Sequence, residues 1–441
     1  MQVTLETTEG LERKMRIHVP ADQLERKVDE KLKEAAQRAR LKGFRPGKVP
    51  MREVKRRFEP GIRQEVSSEL VQQSFNDAVQ QESVVPAGPP KIDDIVMLPG
   101  KDLEYTALFE VFPEVKPGDF SEVVIEQPIS EVTEADLEMM IEKLREQRAE
   151  YNEVERKAIK GDKLNIDFEG FIDDEPFDGN KAEGSDLVIG SGSMIPGFED
   201  GLVGCVAGDG KDLEVSFPDD YHVDDLAGKP AIFKVVVNSI SESVKPDLDE
   251  NFFKQFGIEE DGLEAFKIKV RDNMDKELVQ AIKQRVTNQV MDGLISVTEV
   301  DVPKALVERE VERMRNETVQ RYGGNNKIDP SLLPAEMFES QASRRVKLGL
   351  IINALVEQES IEVDDDRVTK AIENMASAYE DPKQVIEFYS KDEQQQNQIR
   401  AMVLEEQVVD LLLERSNIEE KNMSYEDVLK PLQPDEETTA D

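Results

Sequence analysis

Residues 164–172 read LNIDFEGFI, and the stretches DLVIG (186–190), DLEVSFP (212–218) and AIFKVVVNSI (231–240) continue in the same manner. Each is a short apolar run, and Gly, Asp and aromatic residues separate one from the next. Runs of this length divided by turn chemistry predict a compact, mostly antiparallel β domain from Gly161 to about Ser241. MIPGFEDGLVG (194–204) breaks the pattern and predicts a single short helix that Pro196 opens and Gly204 closes. Phe168, Phe177, Phe198, Tyr221 and Phe233 come from five separate segments of this region. Spacing alone favours a core over a pocket, because aromatic residues at strand positions more often pack than bind.

Upstream, residues 1–115 mix strand and helix. Met15, Ile17 and Val19 alternate with Arg16 and His18 as in a half-buried strand, and Leu24, Val28, Leu32, Ala35 and Ala39 recur at helical spacing. GFRPGKVP (43–50) stops that helix, a second one follows with Val66, Leu70, Ala78 and Val79 on its apolar face, and VVPAGPP (84–90) breaks it. Tyr105, Ala107, Phe109 and Val111 alternate again and close a small sheet, so this first domain is α+β. Residues 116–149 form a linker: extended at 120–131, then a charged helix that Thr133 caps, with Asp136 three residues on, running through Tyr151.

Downstream of the β domain (150–245), the pattern is helical over 246–430, with apolar residues every three or four positions. This predicts an all-α C-terminal domain within an α+β multidomain chain. Met274, Met291, Met314, Met337, Met375 and Met402 lie on its helical faces, where thioethers fill irregular gaps in a core or line an adaptable surface. Residues 431–441, ending PDEETTAD, lack core-forming residues and predict a disordered acidic tail.

Composition narrows the function. The 441 residues fit about three domains. Charged residues are 34% against a usual quarter or so, and 56 Lys and Arg against 95 Asp and Glu leave a formal charge of −39. Such a chain as a whole repels nucleic acid and anionic membranes. One Cys excludes an internal disulfide framework and fits a reducing, cytoplasmic setting. His18 and His222 lie far apart, which argues against a metal site or a multi-His active site, and no cofactor is expected. No apolar run reaches the ~18 residues of a membrane span.

Within this acidic chain, residues 31–63 hold twelve Lys and Arg against Glu34, Glu53 and Glu59, a local charge of +9. At its centre stand Gly43, Phe44, Arg45, Pro46, Gly47 and Lys48, a tight turn that presents an aromatic residue flanked by cations. Such a loop suits a partner offering phosphates and a hydrophobic notch; a solvated turn between helices fits the charge equally well. The octet GFRPGKVP, after a cationic helix and before MREVKRRF, closely resembles the ribosome-docking loop of the trigger factor family of bacterial chaperones. Ala376–Pro382 and Val385–Tyr389 resemble that family's C-terminal domain, a body with two helical arms. The resemblance implies that residues 43–48 contact a ribosomal protein and ribosomal RNA at the exit tunnel. It also implies nascent and unfolded polypeptides as clients, and roles in protein transport and cell division. DNA and membranes are not expected partners, and exposed apolar arms allow a weak homodimer.

The β domain resembles FK506-binding-protein-type prolyl isomerases over about 161–242. Asn165–Gly170 looks like that family's first pocket strand, Phe177-Asp178 like its Phe-Asp pair, and Met194–Gly201 like the helix across its pocket floor. Tyr221 and Phe233 match its loop tyrosine and its last-strand phenylalanine. Small members place Trp at the floor, where this chain has Phe198. The resemblance implies that Phe168, Phe177, Phe198 and Phe233 wall a proline ring, Ile195 donates its backbone N–H, Tyr221 its hydroxyl, and Asp178 orients groups at the rim. His222 then belongs to the rim. No acid or base is needed, because an apolar cleft disfavours the charge-separated resonance form that makes the imide C–N bond stiff. A free isomerase whose helical half only recruits clients is the alternative, and the basic octet argues against it. A dedicated RNA-binding protein fits the net charge poorly.

Overall fold

A computed structural model describes residues 1–431 apart from 9, 39–48, 97, 99–100, 173–174, 219–220, 222, 224–225, 259–261, 323–328, 378 and 380, and apart from the side chains of Arg38, Asp178 and Tyr322. Gly43, Phe44, Arg45, Pro46, Gly47, Lys48, His222 and the tail from 432 onward therefore lie outside the described residues. The chain divides into two compact units, 1–127 with 284–421 and 128–283 with 422–441.

The first unit begins with β1 (Gln2–Thr7), β2 (Glu12–Val19), α1 (Ala21–Arg38), α2 (Met51–Glu82), β3 (Lys91–Val96) and β4 (Leu103–Glu110). The strands form an antiparallel sheet in the order β1-β2-β4-β3. The alternation at Met15, Ile17 and Val19 buries all three, and Tyr105, Ala107 and Phe109 join the same core from β4. Leu24, Val28 and Leu32 of α1 and Val66, Leu70 and Ala78 of α2 cover it. Part of the basic island is consumed here. Lys31 reaches Glu65 at 2.8 Å and Glu69 at 2.5 Å, Lys55 reaches Asp29 at 3.0 Å, and Arg63 forks onto Glu25 at 2.9 and 3.0 Å, so these cations tie α1 to α2. Lys33, Arg52 and Arg57 are exposed and make no ion pair among the described residues. The chain leaves this sheet through β5 (Val124–Ile129).

The second unit opens on α3 (Glu134–Gln147), where the Asp136 N–H donates to Thr133 Oγ1 (3.2 Å) and the Thr133 N–H donates back to Asp136 Oδ2 (3.0 Å). The helix stops four residues short of the expected Tyr151, because Tyr151 lies in β6 (Glu150–Glu153), paired with the last strand of the β domain. That domain continues with β7 (Lys163–Ile172), β8 (Glu175–Val188), α4 (Phe198–Gly201), β9 (Gly210–Ser216) and β10 (Pro230–Val244). All pairings are antiparallel: β10 takes β7 along one edge and β9, then β6, along the other, and β8 pairs with β7. Along β10 the buried positions are Ala231, Phe233, Val235 and Val237; an irregularity between Val237 and Ser239 then shifts the phase, and Ile240 is buried. The short helix is shorter than expected. Gly197 stands at its N-cap with φ +87°, so Pro196 precedes the helix instead of opening it. Beyond Gly201 the chain turns away, and the Gly204 N–H donates to the Ala158 carbonyl at 2.8 Å.

The remainder comprises α5 (Glu250–Gln255), α6 (Gly262–Val297), α7 (Lys304–Tyr322), α8 (Glu336–Glu359), α9 (Asp365–Ala376), α10 (Pro382–Lys391), α11 (Glu393–Arg415), β11 (Asn417–Asn422) and α12 (Tyr425–Leu429). In the second unit, Leu137 and Ile141 of α3 share a core with Phe252, Phe253, Phe266, Met274 and Tyr425. In the first, Phe120 and Ile125 are buried with Val290 and Leu294 of α6, Ile351 and Leu355 of α8, and Val408 and Leu412 of α11. Two smaller cores hold the helical arms: Val311, Met314 and Ala342 between α7 and α8, and Val368, Ile372, Ile399 and Val403 between α9 and α11. The methionines separate: Met274, Met291 and Met314 are buried, whereas Met337 and Met375 are exposed. One element corrects the expectation of helix throughout 246–430. β11 pairs with β5; the Asn417 N–H donates to the Val123 carbonyl at 2.9 Å, and Lys421 meets Glu126 at 2.8 Å. Its sequence, NIEEKN, is exposed throughout and has no apolar face to announce a strand.

Candidate active site

Phe233 organises the site. On β10 it lies opposite Gly170 of β7 and Leu213 of β9. Four rings surround it, with centroids at 5.3 Å (Phe198), 6.0 Å (Phe168), 6.2 Å (Phe177) and 6.4 Å (Phe217). Most meet edge to face, the arrangement that sets a positive ring edge against a negative ring face. Phe198, on α4, also meets Phe168 at 5.8 Å. Phe198 is 1% exposed and Phe233 6%, while Phe168 and Phe177 are half-buried. The set thus has a closed floor and open walls.

The opening depends on Gly170. A Cβ there would sit 2.6 Å from Phe233 Cε1 and 3.0 Å from Phe177 Cε1 and Cζ, so the two rings occupy the space a side chain would take. The Gly170 carbonyl accepts from Asn180 Nδ2 at 2.8 Å, which ties β8 to β7 beside Phe177.

Phe168, Phe177, Phe198 and Phe233, expected from the sequence as pocket residues, are together. Tyr221 is half-buried at the same cluster, its ring 4.8 Å from Phe217. Ile195 packs on the cluster and its carbonyl accepts from the Phe198 N–H at 3.1 Å; among the described residues nothing accepts from its own N–H. Asp178 lies in β8, and its side chain is outside the described residues.

Two residues escaped the reading of the sequence. Phe217 bridges Phe177 (5.8 Å), Phe233 and Tyr221, and its signal was the last apolar position of DLEVSFP. Glu199 follows Phe198 and is 7% exposed. Burial pushes its carboxyl pKa up, but hydrogen bonds from the N–H groups of Gly192, Met194 and Gly190 and from the Ser191 hydroxyl outweigh that and hold it below the ordinary carboxylate value. The Met194–Gly201 motif contains it without giving it a role, because an acidic residue on a short helix ordinarily faces water. Its oxygens are taken up by the 190–194 turn, so it is not a proton carrier for the cleft. Among the described residues no group of three or more His, Cys, Asp or Glu is placed to hold a metal, and no helix is long and apolar enough to cross a membrane. Chemically, the site can enclose a small apolar ring and offer a backbone donor at its rim.

Three family models match the chain. One described as "Bacterial trigger factor protein (TF)" covers residues 1–144, one described as "FKBP-type peptidyl-prolyl cis-trans isomerase" covers 154–238, and one described as "Bacterial trigger factor protein (TF) C-terminus" covers 262–414. Among curated proteins, "Trigger factor" of Pseudomonas syringae pv. syringae (strain B728a) is 50% identical over 433 residues, 98% of this chain and 99% of the relative. "Trigger factor" of Pseudomonas putida (strain W619) is 51% identical over the same shares. A solved structure titled "Promiscuous Substrate Recognition in Folding and Assembly Activities of the Trigger Factor Chaperone" is 22% identical and covers 94% of this chain and 99% of its own, with a TM-score of 0.49.

Proposed function

The chain belongs to the trigger factor family, chaperones that carry an FKBP-type prolyl isomerase domain, and on that premise we propose where each activity resides. The isomerase site is the cleft around Phe233. Phe168, Phe177, Phe198 and Phe217 enclose the proline ring, and the Ile195 N–H and Tyr221 hydroxyl bind carbonyls of the peptide. Asp178 orients polar groups at the rim. The observation that carries this reading is the cluster itself: four aromatic rings with centroids within 6.4 Å of the Phe233 ring, and the Ile195 N–H without an acceptor among the described residues. Transfer of the X–Pro imide into such a cleft lowers the cost of twisting its C–N bond, and no proton transfer is required.

Client holding belongs to the helical arms over 246–430, where Leu332, Met337, Met375, Tyr379 and Phe388 are exposed apolar residues. Residues 1–115 dock to the ribosome through Phe44, Arg45 and Lys48 on the Gly/Pro turn, with protein and ribosomal RNA as the partner surfaces. Residues 116–149 are the linker, 150–245 the isomerase domain and 431–441 an acidic tail. The setting is the cytoplasm, the clients are nascent chains, including those bound for export, and the assembly off the ribosome is at most a weak dimer.

Two variants test the assignment together. Phe198→Ala is expected to cut kcat/KM for a short X–Pro peptide at least tenfold, about 1.4 kcal/mol of transition-state stabilisation, while leaving ribosome co-sedimentation intact. The combined Phe44, Arg45 and Lys48→Ala variant is expected to do the reverse. Because a buried Phe→Ala change costs ~3–5 kcal/mol of stability, turnover is compared at a temperature where both variants are folded. A triple variant that sediments like the unaltered protein would remove the docking role from the octet.

A further inference from the structure

The turn that leads into Ile195 and α4, Gly190-Ser191-Gly192-Ser193-Met194, is held from one point. Glu199 Oε2 accepts from the N–H groups of Gly190 (2.7 Å) and Gly192 (3.1 Å). Its Oε1 accepts from the N–H groups of Ser193 (2.9 Å) and Met194 (3.2 Å) and from the Ser191 hydroxyl (3.1 Å). Gly190 and Gly192 take φ of +91° and +73°, conformations that let successive N–H groups converge on one anion. The anion here is the protein's own carboxylate. The next N–H along the chain, that of Ile195, has no acceptor among the described residues and lies at the start of the segment that leads into Phe198.

We propose that Glu199 is a positioning residue for prolyl isomerisation: by gathering the 190–194 turn onto α4, it fixes the Ile195 N–H against the carbonyl of a peptide seated over Phe198. The inference rests on the cleft being the isomerase site. Phe198 and Glu199 are consecutive on a four-residue helix, one ring turned into the aromatic cluster and one carboxylate turned into the turn. Floor and donor are therefore referenced to the same short element. A donor displaced by about 1 Å from its productive place can cost on the order of a hundredfold in rate. A carboxamide cannot replace the carboxylate, because it has a single acceptor oxygen. Its NH2 would face two N–H donors, whichever way it is turned.

The test uses the full chain with Glu199→Gln, Glu199→Asp, Gly192→Ala and Phe198→Ala. Turnover of an X–Pro peptide is measured where circular dichroism shows each variant folded, and hydrogen exchange is followed by mass spectrometry over 190–197. Glu199→Gln is expected to lose at least tenfold in kcat/KM and to exchange faster in the turn, with β7 and β10 as protected as before. Glu199→Asp, an anion one methylene shorter, is expected to recover part of that loss. Gly192→Ala leaves the carboxylate in place and strains the turn at φ +73°, with no atom within 4 Å of the new Cβ. It is expected to lose turnover too, and it decides the matter if Glu199→Gln does not fold. Folded Glu199→Gln or Gly192→Ala protein with a loosened turn and unaltered kcat/KM overturns the inference, whatever the melting temperature does. Loss of turnover in Phe198→Ala alone would leave the cleft assignment standing without Glu199; unaltered turnover in Phe198→Ala would remove the cleft assignment itself.

Discussion

Gly170 and Glu199 act at the residue scale through what they leave out and what they collect. Adding one methyl at Gly170 drives a carbon to within 2.6 Å of the Phe233 ring and 3.0 Å of the Phe177 ring, and neither ring has a flexible end that can bend aside. Gly170→Ala is expected to cost ~1–3 kcal/mol as an overpacked site and to cut isomerase turnover roughly tenfold by tilting both rings. Urea unfolding with a peptide assay checks both, and wild-type values in each would mean the rings yield freely. Glu199 makes stability depend on pH in a definite direction. Its folded pKa lies below the ordinary value, so the unfolded chain takes up a proton first as pH falls. The stabilisation is therefore complete well above the ordinary carboxylate value and drains away as pH falls through the folded one. The difference in unfolding free energy between the unaltered protein and Glu199→Gln is expected to be level from pH 7 to about 5.5 and to shrink below about 4.5. A difference that widens on acidification would contradict this.

At the scale of elements, what could be read in the chain followed from periodicity and what could not followed from partners. β2 and β4 alternate because one face is buried, and the α3 start was legible because Thr133 and Asp136 cap each other locally. The end of α3 was not legible: Tyr151 suits either a helix or a strand, and the competing partner, Ser243 on β10, lies 92 residues away. β11 was invisible for the same reason, having no buried face of its own. Four of the cleft's rings were named from motif order, but their meeting at Phe233 depends on strand register. Phe217 continues the buried alternation of Leu213 and Val215 one residue past the end of β9, so periodicity marks it as core, and only the strand register that brings it to Phe233 and Tyr221 marks it as part of the cleft. Glu199 was missed because its partners are backbone N–H groups, which every sequence has and none displays.

At the scale of the whole molecule, the −39 charge and the +9 island set opposite terms for an RNA partner. Lys31, Lys55 and Arg63 are occupied in holding α1 to α2, whereas Lys33, Arg52 and Arg57 are exposed and make no ion pair among the described residues. Ribosome affinity is expected to fall with salt on a log–log scale, and removing Arg45 and Lys48 is expected to flatten that slope by about one to two units, at ~0.7–0.9 per phosphate contact. Weaker binding with an unchanged slope would mean that these cations meet something other than phosphate. The β5–β11 pair imposes a timetable as well. Lys421 meets Glu126 across 295 residues, so during synthesis from the N-terminus β5 emerges and then waits. At roughly 5–20 residues per second, the wait is about 15–60 s. By then the β1-β2-β4-β3 sheet and the strands around Phe233 have long had every partner they need. The core around Phe120 and Ile125, which Val290, Leu294, Ile351 and Leu355 begin to cover, stays incomplete until Val408 and Leu412 arrive. For most of its own translation this chaperone is an unfinished chain with aliphatic surface still open, the condition it exists to manage in others.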